Sequence, residues 1–308
     1  MGADDAEVDR PCLTIKTVPT ENAFAFQFSD PHPHQGGNDM GTTRKGTRRA
    51  SDHHPQDEFQ YHIHLKKGDV GRYVILPGDP GRVPAIASFF DDAREIAFNR
   101  EFRTYTGFLD GIKVSCTSTG IGCPSTAIAL EELIKLGADT FIRVGTAGAL
   151  QRHVKLGDIC ISTAAVREEG TTRQYVPLSY PAVADLDVTL ALRDAARRLG
   201  VRHHCGISHC KDAFYTEGAE DLPIARENDM KWEAWHRSNV LATSMEAAAL
   251  FVISSIRRVR AGEVLAIIGL TYDDAPIVAK VGIDEAIQTA IEAIKILHRQ
   301  DAARESTR

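Results

Sequence analysis

The sequence predicts an α/β protein, and three stretches carry the prediction. Residues 112–119 read as a strand that ends in Gly120-Ile121-Gly122, a helix opens around Pro124, and a second apolar strand follows at 141–144. Residues 72–77 form another apolar strand running straight into Gly78-Asp79-Pro80-Gly81. Toward the C-terminus, residues 239–243 feed a further helix that starts at Ser244-Met245-Glu246. Short strands alternating with helical periods are the pattern of parallel βαβ units.

Composition narrows the class. At 308 residues and 43% hydrophobic, the chain can build one sizeable core with a tail. A formal charge of -6 gives no electrostatic footprint for nucleic acid or an anionic membrane, so any phosphate site must be local and its ligand small. Cys12, Cys116, Cys123, Cys160, Cys205 and Cys210 include no C-x-x-C pair, and several lie in apolar strand patterns, as reduced core thiols do. The expected location is cytoplasmic. No run reaches the length of a membrane span, residues 1–9 are acidic rather than signal-like, and Ala6 breaks the N-myristoylation pattern.

Residues 1–56 mix His, Gly, Asp, Arg and Ser without periodicity and are expected to be a disordered extension, with the folded domain over 57–303. Order is expected to begin at Tyr61-His62-Ile63-His64-Leu65, ahead of strand 72–77. The glycines and proline after that strand dictate a tight bend into a short helix at 83–90, and Arg82 stands where free N–H groups would favour an anion. Asp110-Gly111 marks a hairpin into strand 112–119. The next helix places Leu130, Leu133, Ile134 and Leu136 at helical spacing, offers a Glu131–Lys135 pair at i,i+4, and stops at Gly137. A strand at 159–163 and a polar stretch to Tyr180-Pro181 precede a helix over 185–199, opened by Asp185 and closed by Gly200. Strand 264–269, a polar loop over 271–282 and a terminal helix over 284–298 complete the chain.

Some residue groups invite a chemical reading. A strand followed by Gly120-Ile121-Gly122 is how a dinucleotide fold begins, yet Ser125 takes the third glycine position and Gly145-Thr146 stands where an acid for ribose belongs. That argues against a nicotinamide enzyme. His203, His204, Cys205, His209 and Cys210 match no zinc spacing, and the odd separation of the two cysteines points them to opposite faces of a strand, which favours a structural role. Arg143 is more informative. Alternation puts Phe141 and Arg143 on one face and Ile142 and Val144 on the other, and the strand is expected to stop in a Gly145-Thr146-Ala147-Gly148 turn. A guanidinium there needs a counter-charge, which either a bound anion or a structural carboxylate would supply. Glu246, off the capping-box position at the start of an apolar helix, is suited to hold a ligand hydroxyl.

Leu76-Pro77-Gly78-Asp79-Pro80, Asn99-Arg100-Glu101-Phe102, Ser118-Thr119-Gly120-Ile121-Gly122, Phe141-Ile142-Arg143-Val144-Gly145-Thr146 and Met245-Glu246-Ala247-Ala248 resemble, in order and approximate spacing, the uridine phosphorylases of the nucleoside phosphorylase superfamily. The likeness extends over residues 61–297. It implies a three-layer α/β/α fold with a mixed central sheet, and a pentosyltransferase that cleaves a nucleoside with inorganic phosphate to free base and ribose 1-phosphate. Phosphate is then a co-substrate, and no cofactor is expected. By position, the resemblance implies that Gly78, Arg82, Arg143 and Thr146 hold phosphate, with Arg100 supplied by a neighbouring subunit. Met245 and Glu246 would meet the ribose, His62 of the neighbour the 5′-hydroxyl, and Phe214 the base, with Arg143 and Glu246 as the catalytic pair. Glu101, Ile121 and Ser125 correspond to a monovalent cation site at a dimer interface. Shared sites imply a dimer as the minimal unit, alone or within a hexamer.

The base end departs from the family. Where a Gln and an Arg usually read the uracil edge, this loop offers Glu217, Ala219, Glu220 and Asp221. Thr271, followed by Tyr272-Asp273-Asp274, occupies the flap position that often holds another Arg, and Ser244 replaces an acid before Met-Glu. Uracil presents two carbonyl acceptors and one N–H, whereas ionised acids supply acceptors only. Glu217 and Asp273 are the candidates for base contact, and either backbone N–H groups and waters read the carbonyls or the preferred base carries more donors. A purine nucleoside is the runner-up to uridine, since Asp273 or Asp274 would suit N7 of a purine. A nucleoside-binding homologue without turnover is a further alternative, and a water-using nucleosidase is disfavoured by the arginine set.

Overall fold

The computed structural model describes residues 59–272 and 281–306; the extension expected over 1–56 lies outside them, as do Asp273 and Asp274. The strands are β1 (Tyr73–Pro77), β2 (Asp91–Asn99), β3 (Phe102–Leu109), β4 (Ile112–Thr117), β5 (Thr140–Ala149), β6 (Ile159–Glu168), β7 (Ala182–Val183), β8 (His203–Lys211), β9 (Ala242–Ser244) and β10 (Arg260–Leu270). They form one mixed sheet in the order β10-β6-β8-β9-β5-β1-β4-β3-β2, with β7 on β6. Because β10 also pairs with β5, the strands β5, β10, β6, β8 and β9 close into a ring while the others extend as an open sheet.

The helices are α1 (Arg82–Ala87), α2 (Cys123–Lys135), α3 (Leu186–Arg198), α4 (Ala225–Arg237), α5 (Ala247–Arg257) and α6 (Ile283–Glu305). Strand alternation sorts the core. Ile142 and Val144 of β5 pack with α1, α3 and α6, whereas Phe141 packs with α2 and α5 on the opposite face. A smaller cluster of Ala147, Cys160, Leu241, Leu265 and Ile267 joins the strands of the ring. This gives the expected three layers around a mixed sheet. No described helix is long and apolar enough to cross a membrane.

Local chemistry explains the element ends. Asp110 and Gly111 both have positive φ, 51° and 82°, as a tight hairpin turn of matching twist requires. Asp185 caps α3 by accepting from the Val188 N–H at 3.0 Å. After α2, Gly137 has φ 99°, and the Ala138 N–H returns to the Leu133 carbonyl at 3.2 Å, closing the helix.

Four details differ from expectation. The strand carrying Arg143 does not stop at Gly145 but runs on to Ala149, paired with β10 along its length. Gly145 and Gly148 serve close packing rather than a turn: a Cβ on Gly145 would lie 2.7 Å from Leu265 Cδ2, and one on Gly148 3.0 Å from Thr271 Cγ2. Glu131 reaches across to Arg257 of α5 at 2.8 Å rather than to Lys135, joining two helices instead of bracing one. Finally, β2 and α4 appear where periodicity indicated neither. The former is a mostly exposed edge strand with register shifts against β3, and the latter has no buried residue.

Candidate active site

The C-terminal ends of β1, β5, β8 and β10 and the turns following β1 and β4 surround a cavity of about 980 Å³. Ligands of open α/β sheets bind at this end, where strands hand over to loops. Gly78, Arg82, Glu101, Ile121, Ser125, Arg143, Thr146, Phe214, Glu217, Met245 and Glu246 all line it. His62 and Arg100 do not, and Asp273 lies outside the described residues.

At the cavity wall Arg143, 5% exposed, lies between two carboxylates. Its Nη2 donates to Glu246 Oε2 at 2.5 Å, and its Nε lies 3.3 Å from Glu263 Oε1. Nη1 has no hydrogen-bond partner. Nε and Glu263 Oε1 also lack a hydrogen-bond partner among the described residues, so the Glu263 contact is an ion pair and the bond to Glu246 is the guanidinium's one hydrogen bond there. Glu263 reaches this position because β10 pairs in parallel with β5, setting Glu263 beside Arg143 in register. Burial pushes its carboxyl up to about 7, against the opposing pull of the Arg143 charge and a 2.6 Å bond from Ser162 Oγ.

Glu246 occupies the N-cap position of α5 but does not cap it. Its carboxylate turns inward, accepting from Arg143, from the Gly122 N–H at 2.9 Å and from the Met245 N–H at 3.1 Å. Gly122 can offer that N–H because its φ of 91° is open to glycine, as is the 69° of Gly120. Gly78 abuts the same turn, and a Cβ there would fall 3.2 Å from the Gly120 carbonyl and 3.6 Å from Arg143 Nη2. The first N–H groups of α1 are not free for an anion. Asp79 Oδ1 takes the Gly81 N–H at 2.7 Å, and the Asp79 and Pro80 carbonyls take the next two. Arg82 instead contributes its side chain, whose Nη2 donates to Thr146 Oγ1 at 3.4 Å. Burial lowers the Arg82 pKa, Asp79 opposes this, and the nearby Arg143 charge reinforces it. A guanidinium stays charged under such shifts, so two cations face one cavity.

At the opposite end Phe214 and Tyr215 form a half-open aromatic rim. Glu217 does not stand alone there: Lys211, the last residue of β8, places Nζ 3.0 Å from its Oε2 and lines the same cavity. Lys211 and Glu263 are the site residues that the sequence reading missed. Glu263 carried a signal, an acid inside the apolar Ala261-Gly262-Glu263-Val264-Leu265 run, of the same kind that marked Arg143.

His62 and Arg100 sit together away from the cavity. Glu132 accepts from the His62 and Ile63 backbone N–H groups, both at 3.0 Å, and meets His62 Nδ1 at 2.6 Å. Asn99 Nδ2 donates to the His62 carbonyl, and exposed Arg100 lies over the Tyr61 ring at 5.7 Å. Glu101, the Ile121 carbonyl and Ser125 gather around Gly120: Ser125 Oγ donates to Ile121 O at 3.1 Å, and a Gly120 Cβ would lie 2.7 Å from Glu101 Cγ.

Fold and cavity together define an α/β protein in which two arginines and a buried carboxylate line one cavity at the C-terminal ends of the strands. The chain belongs to the Phosphorylase superfamily, whose family model matches residues 72–299. It is 49% identical over 251 residues to a uridine phosphorylase of Treponema pallidum, covering 80% of this chain and 97% of the relative. It is 51% identical over 258 residues to a uridine phosphorylase of Thermococcus kodakarensis, covering 82% and 92%. A guanosine phosphorylase of Halorubrum lacusprofundi is 38% identical over 248 residues, covering 77% and 99%.

Proposed function

We propose that the chain is a pentosyltransferase catalysing reversible phosphorolysis of uridine, with inorganic phosphate as co-substrate. The observation that carries this reading is Arg143, buried between Glu246 and Glu263 with Nη1 and Nε lacking hydrogen-bond partners among the described residues, on a cavity that Arg82 and Thr146 also line. The two uridine phosphorylase relatives support uridine, and the guanosine phosphorylase relative keeps purine nucleosides as the second reading.

Phosphate would bind Arg143, Arg82, Thr146 Oγ1 and the backbone at Gly78, which fixes its attacking oxygen near C1′ of the ribose. Glu246 would accept from ribose hydroxyls, with Met245 packing on the sugar. As the C1′–N1 bond breaks, its electron pair leaves with uracil and positive charge builds on the sugar. The bound phosphate and Glu246 carry the negative charge that stabilises it, and a phosphate oxygen then bonds to C1′. The departing base takes up a proton from solvent, balanced by the proton that the attacking phosphate gives up as it becomes ribose 1-phosphate. Glu101, the Ile121 carbonyl and Ser125 would hold a monovalent cation whose charge supports the local fold.

A second copy would complete the site. Glu132 binds Nδ1 of His62 and so leaves Nε2 as the outward nitrogen, Arg100 is exposed, and Phe98 and Ile121 are 55% and 76% exposed nearby. Such a patch suits a dimer contact, with His62 and Arg100 reaching the partner's cavity. Buried thiols at Cys116, Cys123, Cys160 and Cys210 accord with a cytoplasmic location.

The test is a panel of uridine, thymidine, inosine and adenosine with purified protein, with and without phosphate. The expected result is phosphate-dependent ribose 1-phosphate, greatest for uridine, with Arg143→Ala lowering kcat by roughly 10²- to 10³-fold. Phosphate-independent base release would mean a nucleosidase, saturable binding without turnover a silent homologue, and inosine preference a purine enzyme.

A further inference from the structure

We infer that Lys211 and Glu217 together read the base: an ammonium donor beside a carboxylate acceptor, matched to an O=C–N–H edge. This rests on the phosphorolysis reading for the identity of the site, and it supplies the donor that the acidic loop around Glu217 lacks.

Lys211 is 7% exposed at the cavity wall. Among the described residues its Nζ meets one oxygen, Glu217 Oε2 at 3.0 Å, and otherwise faces rings, 4.7 Å from the Trp232 centroid and 5.8 Å from that of Phe214. An ammonium has three N–H donors, and a nearly buried one with a single oxygen partner is under-satisfied. A pair with Glu217, whose side chain is 30% exposed, does not by itself account for burying a lysine. A carbonyl arriving over the Phe214 ring would take one of the remaining donors.

The surroundings hold Lys211 in place. Trp232 packs edge-on against His209 at 5.2 Å, and His209 Nε2 bonds Glu168 Oε2 at 2.6 Å. Glu168 also accepts from Trp235 Nε1 and Lys231 Nζ, both at 3.2 Å. The otherwise exposed helix α4 is thereby tied to the base end, presenting Trp232 as the floor beneath the ammonium.

Uracil offers an acceptor, O4, next to a donor, N3–H, which fits Lys211 and Glu217 respectively. Cytosine reverses both: its amino group would face the ammonium and its bare N3 the carboxylate. Adenine reverses them likewise, whereas guanine and hypoxanthine share the uracil pattern. The pair therefore separates oxo from amino bases, and cavity shape must separate pyrimidine from purine.

Lys211→Met keeps the apolar stem and removes the charge. Uridine kcat/KM should fall roughly 10- to 100-fold, the uridine-to-cytidine ratio should collapse, and the KM for phosphate should not change. Calorimetry with the free bases reads the same edge without turnover: the unmodified protein should bind uracil at least about tenfold more tightly than cytosine or 3-methyluracil, which lacks N3–H. Absent phosphorolysis with that binding preference intact would sink the catalytic reading and leave this one standing. An unchanged uridine-to-cytidine ratio in Lys211→Met would overturn the inference. Equal binding of uracil and 3-methyluracil by the unmodified protein would do so as well, and decides the matter should the variant not fold.

Discussion

Replacing Glu263 by glutamine tests whether its carboxyl is held above its ordinary range. In the native state Glu263 keeps its proton up to about pH 7, whereas an unperturbed glutamate releases it near 4.5. Between these values the unfolded chain binds fewer protons than the folded one, so unfolding free energy falls as pH rises. A difference of about 2.5 pH units corresponds to about 3 kcal/mol, lost between pH 4.5 and 7 and constant above. Glu263→Gln has no such proton to lose. Its absolute stability also reflects the altered contact with Arg143, so the informative quantity is the gap between variant and wild type as a function of pH. That gap should move by about 3 kcal/mol in the variant's favour from pH 4.5 to 7.5. Urea denaturation at several pH values, each with both proteins, reads it directly. A gap that stays flat across this window would refute the assignment of a raised carboxyl to Glu263, and a flat gap here with movement in wild type's disfavour below pH 4.5 would mean that Arg143 holds it ionised.

Two further predictions rest on other contacts. Hydrogen bonding from His209, opposed by burial, holds the Glu168 carboxyl down to about 2, so its stabilising contribution is present above pH 4.5 and lost as pH falls toward 2. Glu168→Gln should therefore be less stable than wild type in melts at pH 7 and approach it at low pH; a deficit independent of pH would count against the pairing. Gly145→Ala drives a methyl to 2.7 Å from the buried Leu265 side chain and should cost about 1–3 kcal/mol in chemical denaturation, whereas a neutral effect would mean that Leu265 repacks freely.

The elements that could be read from the sequence are those whose signals are local. Asp110-Gly111, Asp185 and Gly137 act within a few residues of themselves, and each does in the fold what its side chain or its lack of one dictates. The apolar strands around Ile75, Ile142 and Val264 declare themselves because both faces of the sheet are covered. Strand β2 and helix α4 are hidden for the opposite reason: one is an exposed edge, and the other buries no residue, so neither carries the apolar period that marks a packed element. Gly145-Thr146-Ala147-Gly148 misleads because glycine marks both turns and places where another chain comes close, and only the position of Leu265 distinguishes them. Lys211 gives no signal at all. It ends a strand beside a polar loop, and its meeting with Trp232 depends on a helix whose placement the sequence does not announce.

The arrangement around Arg143 gives a physical reason for a buried arginine and two acids to stand together in the proposed phosphate site. A lone guanidinium on β5 would be free to rotate and costly to bury, while a single carboxylate partner would satisfy it and leave its orientation undetermined. Glu263 from the parallel neighbour forms an ion pair at the Nε edge and Glu246 takes Nη2, so Nη1 meets neither carboxylate and Nε meets one by charge alone. The same Glu246 is itself fixed by the Gly122 and Met245 N–H groups, so the group proposed to meet ribose and the group proposed to meet phosphate position each other. Charge follows geometry. With Glu263 protonated below about pH 7, Arg143 and Glu246 cancel, and Asp79, which lines the same cavity, is set against Arg82.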